Sequence, residues 1–309
     1  MTDEPLRVGI VGLGAFGSRV AMRLLWNGFP GLGAYDCNDM IVRIFGNEYG
    51  AMGMGSCRMV AQTSDVVITV LPSAAALREA CFGWESLADG FKERGVVVDL
   101  GVTDPVETAN IARELADRGI SFVDAPAFGT PTQAKEGGLT LVVGGDDASV
   151  ALAQPVLDCI STRIFRAGTA GSAQAASALA DYLHAAQMLA TSEAIRIGEQ
   201  FGFDAPGLLR LSRELGGSSI AGLIDRELAT RHYASGRPLG LVRRNLEIAS
   251  RLAQTRHVAS PLLDATNSAW TDAENAIGFG ADQTEILKWL DRMVVAKPTE
   301  APPEPVPAA

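Results

Sequence analysis

Little in this chain points to disulfides, metals, membranes or nucleic acid. Its four cysteines, Cys37, Cys57, Cys81 and Cys159, are scattered through 309 residues, with no C-x-x-C spacing and no histidine beside them. That argues against a disulfide framework or a zinc site, predicts no metal, and marks most of the cysteines as packed thiols. No apolar run is long enough to span a bilayer. The first residues, MTDEPLRVG, lead almost at once into an apolar strand, so neither signal peptide nor anchor is expected and the expected location is cytoplasmic. Positive charge is in deficit as well: 26 Lys and Arg against 36 Asp and Glu leave a net charge of −10. A nucleic-acid surface needs a concentrated basic face, and none is present. The one short basic cluster is Arg243-Arg244, of which Arg243 reads as part of a solvated helix face. The last residues, KPTEAPPEPVPAA, hold too much proline and too few large apolar groups to pack, so 297–309 is expected to be a disordered tail.

With 47% hydrophobic residues and this length, the chain buries a sizeable core and divides into two domains. Residues 8–25, VGIVGLGAFGSRVAMRLL, carry the strongest signal: an apolar strand running through Gly12, Gly14 and Gly17 into an amphipathic helix. Gly12 permits the tight turn, Gly14 lets the backbone approach a pyrophosphate, and Gly17 lets helix and strand pack closely. The helix start adds free N–H groups and partial positive charge beside Leu13, Ala15 and Phe16. About 20 residues past the glycines, GLGAYD (31–36) closes a second strand on Asp36, where an adenosine ribose would lie. A carboxylate there accepts from both ribose hydroxyls and repels a 2′-phosphate, so NAD(H) is favoured over NADP(H).

Apolar runs recur at 64–72, 95–101, 120–126 and 139–145 with helical stretches between them. This alternation predicts a parallel sheet covered on both faces. Several runs end in residues suited to a ligand site, among them Leu71-Pro72, the stretch Asp99 to Thr103, and Asp124 to Thr130. From about residue 170 the pattern becomes alanine-rich and helical as far as Gly202. This predicts one helix of roughly 28 residues, about 40 Å long, capped by Ser172 and bridging two domains. Helices follow at 204–215, 219–231, 239–256, 260–277 and 282–294 with no strand signal. The expected domains are 1–167, binding a dinucleotide, and 168–296, all helical.

This plan resembles the β-hydroxyacid dehydrogenase family, which includes 3-hydroxyisobutyrate, tartronate semialdehyde and 6-phosphogluconate enzymes. GLGAFGSRVAMRL is similar to the family's G-L-G-x-M-G-x-x-M-A-x-N-L, and ITVLP to its nicotinamide-side strand end. DAPAFGTPTQAKEGGLTLVVGG (124–145) is similar to its substrate segment, RRNLEIA (243–249) to its K-D-L-x-x-A helix, and GFGADQTEI (278–286) to its closing G-x-G-x-x-D. The resemblance implies an α/β fold with an N-terminal Rossmann domain, a bridging helix and an all-helical C-terminal domain. It further implies an NAD(P)-dependent oxidoreductase, a small-molecule substrate and a homodimer. Cofactor contacts are implied at Gly12 to Gly17, Asp36, Leu71, Pro72, Val102 and Arg244, and substrate contacts at Phe128, Gly129, Thr130, Asp181 and His184.

The departures bear on chemistry. The family's bridging helix carries a proton-exchanging lysine and, four residues on, a substrate-orienting asparagine; here Ser177 and Asp181 stand at those positions. Phe128 and Thr130 replace a serine and a glycine, Gly101-Val102 replaces Ser-Thr, and Asn245 replaces an aspartate. Ser177, Asp181 and His184 share one helix face, with Tyr182 one residue off it. Asp181, buried against apolar neighbours, would act as an acid near neutral pH, with Ser177 as a relay and Arg244 facing the nicotinamide. Three readings stay open: reduction or oxidation at a carbonyl/hydroxyl centre, imine reduction, and NAD(H) binding without turnover as a sensor or scaffold.

Overall fold

The computed structural model describes residues 5–92, 95–215, 220–230 and 232–292; the expected tail 297–309 lies outside them. The strands are β1 (Val8–Val11), β2 (Gly33–Tyr35), β3 (Met52–Gly53), β4 (Val66–Thr69), β5 (Val96–Asp99), β6 (Ser121–Asp124), β7 (Ala127–Phe128), β8 (Leu139–Gly144) and β9 (Ser161–Gly168). Between them lie α1 (Gly17–Trp26), α2 (Asp39–Tyr49), α3 (Cys57–Gln62), α4 (Ala74–Phe82), α5 (Leu87–Gly90), α6 (Pro105–Ala116), α7 (Pro131–Glu136) and α8 (Asp147–Ile160). The helical part comprises α9 (Ser172–Gln200), α10 (Ala205–Glu214), α11 (Ala221–Thr230), α12 (Leu239–Thr255), α13 (Pro261–Ile277), a 3₁₀ turn at Gln283–Glu285 and α14 (Ile286–Arg292).

The sheet runs β3-β2-β1-β4-β5-β6-β8-β7, with β9 on β8. Its first six strands are parallel, and both faces are apolar because the central strands β1, β4 and β5 are buried on two sides. Ile10, Ile68 and Val98 face one core with α1 and α8, while Val11, Val67 and Val97 face another with α3, α4 and α6. The expectation of an all-parallel sheet fails beyond β6. The chain reverses between β7 and β8: β8 runs antiparallel both to β7, in the register Ala127↔Leu141, and to β6, at Asp124↔Gly144. Strand β9 gave no sequence signal, because STRIFRAG is an exposed edge that carries Arg163 and Arg166.

Helix α9 has 29 residues, close to expectation, but Ser172 is its first helical residue rather than its cap. Gly171 caps it at φ +89°, where a Cβ would meet the Pro105 carbonyl oxygen at 2.5 Å. The capping carboxylate comes from a different element. Asp124, at the end of β6, accepts from the N–H groups of Gly171 (3.0 Å), Ala173 (3.1 Å) and Gln174 (3.2 Å). The expected helix at 282–294 begins as the 3₁₀ turn. Arg243 is paired with Glu247 and Glu274 rather than solvated. All four cysteines are free, and among the described residues no helix is long and apolar enough to cross a membrane.

Asp99 lies beside Asp124 on the neighbouring strand and is fully buried. Burial pushes its carboxyl up to about 6 from 3.8, against the Thr69 hydroxyl and Gly101 N–H that bond it. Native Asp99 therefore keeps its proton to a higher pH than the unfolded chain does. The native state binds more protons between pH 3.8 and about 6, so this group's contribution to stability falls as pH rises through that window. Burial raises Asp124 in the same direction. In thermal melts across that window, wild-type Tm is expected to drop relative to Asp99→Asn as pH rises; a constant difference would count against this assignment.

Candidate functional site

The carboxyl ends of β1, β4, β5 and β6 open toward the start of α9 and toward α12. At β1 the glycine turn is shaped by close approach: a methyl on Gly12 would lie 2.3 Å from the Val70 carbonyl oxygen, and one on Gly17 2.1 Å from that of Gly12. Gly14 differs, with nothing within 4 Å of a Cβ built there, so the space it leaves faces outward. Ala15 is exposed beside it, and Phe16 packs into the core. No side chain caps the N-terminus of α1. Asp36 is fixed beside this turn: one carboxylate oxygen accepts from Leu13 N–H (2.7 Å), the other from Asn38 N–H (2.9 Å). Open space at Gly14, an uncapped helix start and a fixed carboxylate fit the pyrophosphate and ribose of a dinucleotide.

Beyond β4, Leu71 packs on the sheet and the Pro72 carbonyl accepts from Arg244 Nη1 of α12 (2.6 Å). The Arg244 guanidinium also lies 5.8 Å over the Phe279 ring, and burial followed by the nearby Arg243 charge lowers its pKa from the ordinary value. Beyond β5, Val102 packs against the helical core. Beyond β6, Phe128 and Gly129 lead to Thr130, which caps α7 in a reciprocal pairing with Gln133.

Helix α9 brings Ser177 and Asp181 into the interior, 2% and 1% exposed. The expected apolar surroundings of Asp181 are absent. Its Oδ2 accepts from Nη2 of Arg237 and from the side-chain amide of Asn245, because a buried charge needs partners. Among the described residues Asp181 Oδ1 makes no hydrogen bond. Arg237 also lies over the Phe128 ring at 5.6 Å, joining β7 to α9. His184 sits near this group; burial first, then the Arg237 charge, lower its pKa, while Asp181 and Gln283 oppose the shift. Tyr182 is packing against the helical core.

Asp181, Asn245, Arg237, Phe128 and His184 are thus gathered at one place, while Arg244 lies apart on Pro72. Sequence reading missed Arg237, a single arginine in the loop SGRPLG with no periodicity to mark its direction. It also missed Gln174, which is 1% exposed and reaches back to the loop beyond β5. Among the described residues no cluster of His, Cys, Asp and Glu could hold a metal ion.

Residues 7–168 match the family model for the NAD binding domain of 6-phosphogluconate dehydrogenase, and residues 171–290 match the model for NAD-binding of NADP-dependent 3-hydroxyisobutyrate dehydrogenase. Mitochondrial 3-hydroxyisobutyrate dehydrogenase of Rattus norvegicus is 30% identical over 250 residues, covering 78% of this chain and 74% of that one. The solved structure of Mycobacterium tuberculosis 3-hydroxyisobutyrate dehydrogenase with L-serine is similar at a TM-score of 0.85 and 21% identity, over 93% of this chain and 99% of the other. An imine reductase from Myxococcus stipitatus, a variant in complex with NAD+, shares the fold at a TM-score of 0.65 and 15% identity, over 93% and 100%.

The glycines separate folding from binding. Gly17→Ala is expected to cost about 2 kcal/mol or more through its clash with the Gly12 carbonyl. Gly14→Ala should melt like the wild type yet bind NADH about tenfold or more weakly. Melts and fluorescence titration read the two effects, and equal NADH affinity in Gly14→Ala would rule out the pyrophosphate contact.

Proposed function

Because the chain belongs to the β-hydroxyacid dehydrogenase family, and is an NAD(P)-dependent oxidoreductase of that type, we propose that Asp181 replaces the family's lysine as its proton-exchanging residue. The substrate we assign is a small hydroxy or carbonyl compound bearing an anionic group. One observation carries this reading: Asp181 is buried at the cleft with Oδ2 engaged by Arg237 and Asn245 and Oδ1 unengaged.

When bound, the nicotinamide accepts or supplies the hydride. Asp181 Oδ1 takes the hydroxyl proton as the alcohol is oxidised and returns it when the carbonyl is reduced. Arg237 and Asn245 hold the carboxylate in place, and Ser177, one turn earlier, offers a hydroxyl that orients the substrate oxygen. Among the described residues the Nε and Nη1 groups of Arg237 make no hydrogen bond; they are donors available to a carboxylate or to charge developing on oxygen. That cation offsets the polar groups lost at Phe128, Gly101 and Val102, and it supports an acidic substrate like those named for the relatives. Imine reduction is the second reading; it rests on Ser177 and Asp181 standing where the lysine and asparagine would be.

Asp36 supports NAD(H) over NADP(H), through its fixed carboxylate beside Leu13. Leu179, Leu183 and Ile197 of α9, with Phe201 just past its end, leave an exposed apolar stripe, which supports a homodimer that covers it.

Turnover is tested by following NADH and NADPH oxidation against panels of keto acids, aldehydes and cyclic imines. Keto acids with NADH are expected to give the highest kcat/KM. Faster turnover of imines selects the second reading, and NADH binding without turnover on any panel leaves a binding module. With the best substrate, Asp181→Asn should lower kcat by about 100-fold or more while NADH affinity holds; unchanged kcat removes Asp181 from the mechanism. Light scattering should return twice the chain mass of 32.4 kDa, and a monomer would refute the dimer.

A further inference from the structure

We propose that Gln174 is a positioning residue of the cofactor site, clamping the loop beyond β5 to α9 so that Val102 is held against the nicotinamide end. The inference rests on the reading of this cleft as a dinucleotide site. The Gln174 side chain is 1% exposed and makes two hydrogen bonds: Oε1 accepts from Thr103 N–H at 3.1 Å, and Nε2 donates to the Gly101 carbonyl at 2.8 Å. Those two backbone groups flank Val102. They are the pair that a neighbouring parallel strand would engage, so one side chain continues the sheet past the end of β5.

The same two residues are held from a second direction. Asp99 accepts from Gly101 N–H at 3.3 Å through one oxygen and from the Thr103 hydroxyl at 3.3 Å through the other. Gln174 is in turn anchored, since its own N–H donates to Asp124. Val102 is therefore fixed between two buried side chains, and through Gln174 it keeps register with Ser177 and Asp181, one and two turns further along α9. Nothing in the clamp touches the glycine turn or Asp36, which serve the adenosine and pyrophosphate end. Loss of the clamp should affect one end of the cofactor and spare the other.

The test compares NADH with ADP-ribose, which lacks the nicotinamide, on wild type and Gln174→Met. The variant should bind ADP-ribose within about twofold of wild type and NADH about tenfold more weakly, with loss of the nicotinamide emission enhancement that accompanies binding. Wild-type affinity for both ligands together with wild-type NADH emission overturns the proposal. So does a parallel loss of both affinities, which would mark Gln174 as merely structural. If Gln174→Met does not fold, Val102→Ala decides: selective loss at the nicotinamide end supports the clamp, and wild-type behaviour overturns it. Failure of wild type to bind either ligand would instead refute the dinucleotide reading itself.

Discussion

Asp124 accepts three backbone N–H groups from the start of α9 while sitting at the end of β6, fully buried. Three otherwise unpaired donors and the positive end of a long helix meet one carboxylate, so a single buried side chain is also the joint between sheet and helix. The surroundings leave no slack. A Cβ on Gly144 would lie 2.5 Å from Asp124 Oδ1, and one on Gly171 would strike Pro105. Thr69, Asp99 and Thr103 continue the polar contacts across β4, β5 and the following loop. The frame that presents Ser177 and Asp181 is thus made of buried hydrogen bonds, where an unsatisfied partner is costly.

The substitutions in the cleft make sense as a set. The family resemblance implies a lysine at position 177, an asparagine at 181 and an aspartate at 245, one cation and one anion. This chain has Ser177, Asp181 and Asn245, and Arg237 arrives from the loop before α12. The cleft again holds one cation and one anion: the carboxylate and the amide are exchanged between 181 and 245, and the cation stands at 237. The exchanged residues touch: Asn245 donates to Asp181, and Arg237 pairs with the same oxygen. A buried carboxylate at 181 without Arg237 would carry an uncompensated charge, so Asp181 depends on Arg237.

The glycine turn, Asp36 and α9 were legible because each is written in local spacing: glycines at fixed intervals, an acid closing a strand, and apolar residues at helical period. The parallel strands were legible for the same reason. The reversal at β8 and the edge strand β9 were not, because strand direction depends on which neighbour a segment meets in space. Ser172 looked like a cap by residue type, yet the cap residue is Gly171 and the capping carboxylate is Asp124, 48 positions earlier than that serine in the chain. Arg237 and Gln174 lay hidden for the same cause: their roles are defined by partners far away in sequence, Asp181 for one and Gly101 with Thr103 for the other. The family resemblance implied departures at 177, 181 and 245, but its quoted motifs do not reach Arg237.

Helix α9 is a long arm mounted on a short bearing. Asp181 stands about 15 Å along its axis from the capped end, so a tilt of about 4° at the joint displaces that carboxylate by about 1 Å. A misplacement of that size is enough to cost about 10²-fold in rate when reacting atoms must meet. The angular tolerance of the joint is therefore a few degrees. Substitutions around Asp124, far from any reacting atom, fall under the same constraint as substitutions in the cleft.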